Sequence, residues 1–401
     1  MDIKREVERQ LALIERNAET LLPREELAGK LERALVEGKP LRVKLGIDPS
    51  APHLTLGHAV VLRKLRTFQD LGHTAVLVVG DFTRRIGDPS GKSKTREPMS
   101  PKEIERNMAS YKEQAFLILD PERTEVRYNS EWLGKLSFED VIVLTARYTV
   151  ARMLERDDFA RRFREGAPIT IMEFLYPLAQ AYDSVAIRAD VELGGSDQRF
   201  NLLIGRDIQR EYGQEPQVIL TMPLLIGTDG VHAMSQSRGN YIGIAEPPEE
   251  QFGKIMSLPD ELMPQYFALL TDIPWEEVRD LHPKEAKKRL AWEIVRQYHG
   301  EEGAERGKAH FQRVFEERGL PEEVPEVRLP PELLATDGTV GIVDLVYATG
   351  LVASRSEARR LVEQGGVQVD GRRVSGLKAR VPFRPPLVVK LGKRRFARFI
   401  G

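Results

Sequence analysis

The chain has no cysteine among its 401 residues. That excludes a disulfide framework, a thiolate nucleophile and a thiolate zinc site, and no metal ligand is assigned. No apolar run approaches the roughly 20 residues that a membrane-spanning helix needs. The N-terminus, MDIKREVERQ, is charged and helical in pattern, unlike a secretory signal. From these absences we expect a cytoplasmic protein with no membrane partner. Strong net charge is missing too, the formal value being −1. With 41% hydrophobic and 30% charged residues the composition is that of a soluble globular protein with a salt-rich surface. The length allows two or three domains and a well-buried core.

The near-zero charge hides an asymmetry. Residues 351–401 hold 13 Lys/Arg against 3 Asp/Glu, a net of +10, which leaves −11 on the first 350 residues. A basic terminal module on an acidic body points to a polyanionic partner, most simply nucleic acid. The alternative is a solvated basic surface.

What is present is organised around Leu41 to His58, LRVKLGIDPSAPHLTLGH. Leu41, Val43 and Leu45 alternate as in a strand and Ile47 closes the run. Asp48-Pro49-Ser50-Ala51-Pro52 breaks it, because proline cannot continue a ladder. Val61, Leu65 and Phe68 then follow at helical spacing, with Gly72 as a stop. Strand, proline-rich turn and helix aim backbone N–H groups and a helix N-terminus at an anion, here a nucleotide phosphate. Gly57 lets a ligand approach the backbone, and His58 faces the same space.

Residues 1–40 carry amphipathic helical patterns. Thr74 to Gly80 (TAVLVVG) has the continuous apolar character of a buried parallel strand. The polar loop from Asp81 to Arg96 that follows it belongs to a binding site. Residues 101–119 are helical, 124–128 a strand and 137–165 mostly helical, with charges such as Glu155, Arg156, Asp157 and Asp158 outside. Tyr176, Gln180 and Asp183 at i, i+4 and i+7 place a phenol, an amide and a carboxylate on one helix face, either as pocket groups or as rim and helix-end residues. Glu192 to Gln198 is a Gly-rich strand end with a carboxylate suited to ribose hydroxyls. Residues 217–226 form another apolar strand. His232 to Asn240, small and polar, reads as a mobile surface loop. From Pro247 to about Gly319 the pattern is helical. Residues 320–336 hold four prolines and read as a linker. Residues 340–401 form a last unit of helices followed by short strands, with turns at Gly365-Gly366 and Asp370-Gly371.

Taken together these motifs resemble a bacterial tyrosyl-tRNA synthetase, a class I aminoacyl-tRNA synthetase, along essentially the whole chain. Thr55-Leu56-Gly57-His58 stands where that class has its HIGH signature. Ala233-Met234-Ser235-Gln236-Ser237 stands where it has its KMSKS loop. The Gly87-to-Lys92 loop, the Tyr176-to-Asp183 helix and Gly194-Gly195-Ser196-Asp197-Gln198 are similar to the family's tyrosine and ATP pocket. Residues 353–361 with Gly365-Gly366-Val367 are similar to the ribosomal-protein-type RNA-binding module that ends these enzymes.

The resemblance implies an α/β fold: a Rossmann-like parallel-sheet catalytic domain (1–230), a class I signature loop with an α-helical anticodon-side domain (231–325), a linker (326–339) and a small α+β RNA-binding domain (340–401). It implies a tyrosine–tRNA ligase that uses ATP with Mg²⁺ as substrate, holds no tight cofactor, takes L-tyrosine and tRNA(Tyr), and forms a homodimer. Ser50, Thr55, His58, Lys92 and Arg96 would handle the phosphates. Asp48, Gly57, Gly195, Asp197, Met234, Ser235, Gln236 and Ser237 would line the ATP site with His58. Asp88, Tyr176, Gln180 and Gln198 would hold the amino acid's charged ends, and Asp183 would accept the phenolic hydrogen bond. Such a site rejects phenylalanine by about 10⁴–10⁵, so no editing domain is needed. Ser354, Arg355, Arg359, Arg360, Arg372 and Arg373 would meet RNA. The chain departs from the family in three places. Thr55 replaces the first signature histidine, Ala233 and Gln236 replace both loop lysines, and Lys44 stands where some relatives have a second phenol-binding tyrosine. Those replacements favour an alternative, a catalytically weakened relative that keeps tyrosine or RNA binding. A tryptophanyl enzyme on the same fold is disfavoured by Asp183 with Tyr176 and Gln180.

Overall fold

Six strands from the first part of the chain pair into one sheet: β1 (Thr20–Leu22), β2 (Arg42–Ile47), β3 (Thr74–Val79), β4 (Thr124–Tyr128), β5 (Val191–Gly195) and β6 (Val218–Met222). The computed structural model describes residues 2–49, 51–89, 101–316, 324–374, 376–392 and 395–400. The strand order is β1-β6-β5-β2-β3-β4. All pairings are parallel except β1 with β6. The chain steps from β2 outward to β3 and β4 on one side and to β5 and β6 on the other. The switch point of this doubly wound sheet therefore lies between β2 and β5, where such sheets bind ligands beyond the strands' carboxyl ends.

Local chemistry explains the elements that frame that point. β3 is buried along Ala75 to Val79, as its unbroken apolar run requires. β2 stops at Asp48-Pro49. The Leu56–Asp70 helix starts behind Thr55, whose extended backbone makes it the N-cap, and buries Leu56, Val60, Leu65 and Phe68. The Ile171–Ile187 helix is capped by Thr170 and Glu173, and it packs against the Arg199–Glu211 helix.

The chain divides into two compact units, Met1–Lys308 and Ala309–Gly401. In the second, a five-stranded sheet has the order β10-β9-β12-β13-β7 and a two-stranded one pairs β11 with β8. These strands are β7 (Glu326–Arg328), β8 (Thr339–Gly341), β9 (Val367–Val369), β10 (Arg372–Arg373), β11 (Arg380–Pro382), β12 (Leu387–Leu391) and β13 (Arg395–Ile400). Helices Ile342–Ala348 and Arg355–Glu363 pack with them around Val340, Leu345, Val362, Val389 and Phe399.

Three segments differ from the sequence reading. Residues 1–40 are two helices, Ile3–Glu15 and Arg24–Glu37, separated by β1. Asn17 adopts a left-handed conformation and Pro23 cannot donate into a helix, so the run is interrupted there. The proline-rich stretch expected as a linker contributes β7, which pairs in parallel with β13 through Val327 opposite Phe399. The helical segment over 231–325 contains helices Pro248–Met256, Met263–Leu270 and Pro283–Phe311, and the division between the two compact units falls inside it. Among the described residues no helix is long and apolar enough to cross a membrane.

Candidate active site

The carboxyl ends of β2 and β5 open onto a cavity of about 310 Å³. Its lining gathers Asp48, Thr55, Gly57, His58, Asp88, Tyr176, Gln180, Asp183, Gly195, Asp197, Gln198 and Met234, which lie far apart in sequence. Four of these are carboxylates, and no Lys or Arg lines the cavity among the described residues.

One end is a closed polar network. Asp183 is 3% exposed. Its Oδ1 accepts from the indole Nε1 of Trp132 at 2.8 Å and its Oδ2 from Asn129 Nδ2 at 3.2 Å. Burial pushes the Asp183 carboxyl up to about 7, against the pull of Lys44 and these two donors. Asn129 also donates to Thr83 Oγ1 at 3.0 Å, and Thr83 donates to Asp48 Oδ1 at 2.8 Å. Tyr176 donates its hydroxyl to Asp48 Oδ2 at 2.9 Å. Burial, reinforced by the charge of Asp88, lifts the Asp48 carboxyl to about 6. Burial and then the Asp48 charge hold the Tyr176 phenol well above its ordinary range. Gly80, immediately after β3, makes this approach possible: a Cβ there would overlap Asp48 Oδ1 and Thr83 Oγ1.

Toward the middle, Gln198 Nε2 donates to Asp88 Oδ2 at 2.9 Å, and Asn201 Nδ2 donates to Gln198 Oε1 at 3.0 Å. Arg156, 6% exposed, lies 3.7 Å from Asp88 Oδ1 and 2.7 Å from Asp158 Oδ1. Lys44 is buried against Glu192 at 2.8 Å. Gln180 lines the cavity, and its buried amide oxygen has no partner among the described residues.

The other end is built differently. Thr55 N–H donates to His58 Nδ1 at 3.1 Å, and the Thr55 hydroxyl lies 2.9 Å from the same nitrogen. Nδ1 therefore accepts, and the ring proton sits on Nε2, leaving a donor for a ligand. Burial pulls His58 down to about 4, so the ring is neutral at pH 7. Residues 242–244 run beside 54–56, with Leu56 N–H donating to Ile242 O at 2.8 Å and Ile244 N–H to Leu54 O at 3.0 Å. That pairing brings the 233–237 segment next to the helix start. Ala233 and Met234 line the cavity, whereas Ser235, Gln236 and Ser237 do not. Gln236 Nε2 donates to the carbonyl of His53, and the two serine hydroxyls lie 2.9 Å apart. At the end of β5, Asp197 folds back over Gly195, where a Cβ would meet its carboxylate and Leu224. Burial raises the Asp197 carboxyl.

His232 to Asn240, expected from sequence to be a mobile surface loop, lies at the surface and is anchored at its end by Asn240. Asn240 is 4% exposed, accepts from Ser235 N–H at 2.8 Å and donates to Asp229 Oδ2 at 3.1 Å. Ser50, Lys92 and Arg96 lie outside the described residues. Asn129, Trp132 and Thr83 were not singled out from sequence, and Arg156 and Asp158, expected on the outside of the 137–165 helices, are each 6% exposed because they pair with one another; Asn129 directly follows β4, a position where parallel sheets place ligand contacts. In the second unit Ser354 caps the Arg355–Glu363 helix by accepting from Glu357 N–H at 3.2 Å. Arg359, Arg360 and Arg372 are exposed. Arg355 lies 3.1 Å from Asp344, and Arg373 donates to the Gly365 carbonyl at 2.7 Å, so those two cations also hold the module together. Among the described residues no group of three or more His, Asp or Glu is arranged for a metal ion.

A cavity at the switch point of a parallel sheet, with a histidine in the first helical turn and the 233–237 segment laid beside it, is the place where such sheets bind a nucleotide. The family model described as tRNA synthetases class I (W and Y) matches residues 36–316, and the S4 domain model matches 340–382. The chain is 55% identical over 403 residues to the tyrosine–tRNA ligase of Thermotoga maritima, covering 98% of both chains. It is 54% identical over 405 residues to that of Moorella thermoacetica, covering 99% of this chain and 97% of the relative. The chain belongs to the bacterial tyrosyl-tRNA synthetases. Its fold is also similar to that of a C-terminally truncated mitochondrial tyrosyl-tRNA synthetase from Coccidioides posadasii. That likeness has a TM-score of 0.63 at 24% identity, over 77% of this chain and 94% of the other.

Proposed function

We propose that this chain activates L-tyrosine with ATP and transfers the tyrosyl group to the 3′ end of tRNA(Tyr). The observation that carries the reading is Asp183: a buried carboxylate lining the cavity, both oxygens aimed by fixed donors, is suited to accept one hydrogen bond from a phenol. In the first step a tyrosine carboxylate oxygen attacks the α-phosphorus of ATP. A new O–P bond forms, the bond to the bridging oxygen breaks, and pyrophosphate leaves with its electron pair. No protein nucleophile is required, so the work of the residues is positioning and charge stabilisation.

Gln180 Oε1, Tyr176 and Asp88 surround the amino acid's ammonium, and Gln198, fastened to Asp88 and Asn201, faces its carboxyl end. Asp197 takes the ribose hydroxyls. His58 donates its Nε2–H to phosphate, and Lys92, Arg96 and Ser50 are assigned to the same phosphates. Met234 packs on the nucleotide beside Gly57, while Ser235, Gln236 and Ser237 shape the loop around it; Asp48, expected at the ATP site from sequence, stands instead in the amino-acid-end network with Thr83 and Tyr176. Mg²⁺ accompanies the ATP phosphates. In the second step a tRNA terminal hydroxyl attacks the activated carbonyl and AMP leaves. Arg359, Arg360 and Arg372, with Ser354, Arg355 and Arg373, supply the RNA-facing surface of the S4 module.

A homodimer fits the surface of the first unit. Phe138 and Ile171 are each 81% exposed, Phe163 65% and Val150 60%, on neighbouring short helices and the start of the Ile171–Ile187 helix. Apolar groups gathered in this way mark an interface. The cytoplasm, where tRNA and ATP are available, is the expected location.

The test is tyrosine-dependent exchange of labelled pyrophosphate into ATP by the purified protein. Exchange with tyrosine and not with tryptophan or phenylalanine is expected. Tight tyrosine binding with no exchange would move the reading to the weakened relative. That second reading is favoured by Ala233 and Gln236, which put no cation on the loop.

A further inference from the structure

Behind the amino-acid end of the cavity lies an ion pair that the reaction above does not use. Lys44 on β2 and Glu192 on β5 are register partners in the sheet. Their side chains are 0% and 1% exposed. Lys44 Nζ donates to Glu192 Oε1 at 2.8 Å, to the Gln180 carbonyl at 2.9 Å and to Ser184 Oγ at 2.9 Å. An ammonium has three protons, and these acceptors account for all of them. Two of the three belong to the helix that carries Tyr176, Gln180 and Asp183.

Glu192 faces the same helix. Its Oε1 also accepts from Gln180 Nε2 at 3.3 Å, and its Oε2 accepts from Ser184 Oγ at 3.2 Å and from Gln217 Nε2. An ionised carboxylate only accepts. The Gln180 amide must therefore turn its NH₂ toward Glu192, which leaves Oε1 as a buried acceptor without a partner among the described residues, on a side chain that lines the cavity. A buried ion pair is seldom retained for stability alone, since an apolar pair of similar volume does as well.

Resting on the tyrosine reading, we infer that Lys44 and Glu192 are positioning residues for recognition of the substrate's α-ammonium group. Glu192 orients the Gln180 amide so that an acceptor faces the ammonium. Lys44 neutralises Glu192 and pins the Gln180–Ser184 turn to the sheet. Neither residue touches substrate; both act through Gln180.

The pair Lys44→Met, Glu192→Gln removes both charges together and avoids stranding one of them. Binding of tyrosine and of 3-(4-hydroxyphenyl)propionate, which lacks the ammonium, is measured by titration on the full chain. Tyrosine is expected to weaken about tenfold, the size of one charge-assisted hydrogen bond, while the desamino analogue changes less than about twofold. In exchange assays tyrosine KM rises with kcat and ATP KM unchanged. Equal weakening of both ligands would make the pair merely structural and overturn the inference, as would no change in either. If the double variant does not fold, Glu192→Asp, which keeps a charge opposite Lys44 and draws the carboxylate back from Gln180, carries the same expectations. Failure of the unmodified protein to bind tyrosine would instead sink the tyrosine reading, and it shows before any variant is made.

Discussion

The two ends of the cavity solve their problems in opposite ways. At the amino-acid end every charged group is held by partners from several elements: Asp183 by Trp132 and Asn129, Asp88 by Gln198 and Arg156, Asp48 by Thr83 and Tyr176. At the ATP end the described lining brings no cation: a histidine pulled down to about 4, a threonine bonded to it, an alanine, the Asp197 carboxylate, and beside them a glutamine spent on a backbone carbonyl. Specificity for a small ligand needs fixed geometry, which a buried network supplies. Speed in releasing pyrophosphate needs charge that meets charge, and no described Lys or Arg lines this cavity to bring it. Selectivity and rate thus rest on separate parts of the site, and each can be changed without the other.

The largest effect should come from breaking the amino-acid end. Asp183→Asn keeps the shape but removes the charge and turns one of the two acceptor oxygens into a donor NH₂. The tyrosine-over-phenylalanine ratio in pyrophosphate exchange should fall by about 10³ or more, since a site built to bond a hydroxyl rejects the analogue by 10⁴–10⁵. An unchanged ratio would show that Asp183 does not read the phenol. The same substitution should not cost stability at neutral pH. A carboxyl raised to about 7 in the fold contributes stability below its unfolded value, near 4, and loses it as pH rises through 7. The variant should therefore melt higher than the parent at pH 8 and not at pH 4.

Charging the other end is the converse experiment. Ala233→Lys with Gln236→Lys places cations on the loop beside Met234, and exchange should rise about 10²-fold, comparable to one donor at a developing anion. Tyrosine KM should stay within about twofold, because the network around Asp183 is untouched. A rise in tyrosine affinity instead of rate would mean that the two ends are coupled, and the comparison would fail.

The contrast also separates what sequence could and could not disclose. The strand ends at Asp48 and Gly195, the helix start at Thr55 and the face shared by Tyr176, Gln180 and Asp183 follow from local pattern: proline and glycine stops, apolar runs and a period of 3.6. Each turned up lining one cavity. The residues that hold them did not follow. Asn129 and Trp132 reach Asp183 from the start of the short Ser130–Leu133 helix after β4, and Lys44 finds Glu192 only because β2 and β5 are neighbours. Strand order is a long-range property, and no local spacing carries it. β7 was hidden by its prolines for a related reason: an edge strand of three residues, Glu326–Arg328, is defined by its pairing with β13 rather than by its own composition.

A finer test of the network is its titration. If the charged Asp183 is the form that accepts the phenol, tyrosine affinity should increase as pH rises from about 5.5 to 8, by roughly tenfold, with a midpoint near 7 or somewhat below it as bound ligand stabilises the charge. Asp183→Asn should flatten that profile. A midpoint that persists in the variant would move the titration to Asp48, lifted to about 6.

The smallest effect concerns the second unit, where neither end of the cavity takes part. Arg359→Ala and Arg372→Ala, both at exposed positions of the S4 module, should leave pyrophosphate exchange unchanged. Each should weaken tRNA binding a few-fold and reduce the slope of log affinity against log salt by about one. The slope matters more than the affinity. A side chain that only braces the module would weaken binding with the slope intact, because no counterion is released where no phosphate is met. Arg373, which already donates to the Gly365 carbonyl, provides that comparison. If Arg373→Ala flattens the slope as much as Arg359→Ala does, its cation meets RNA as well as holding the turn. If it weakens binding without changing the slope, the RNA-facing surface is the exposed face of the Arg355–Glu363 helix together with Arg372.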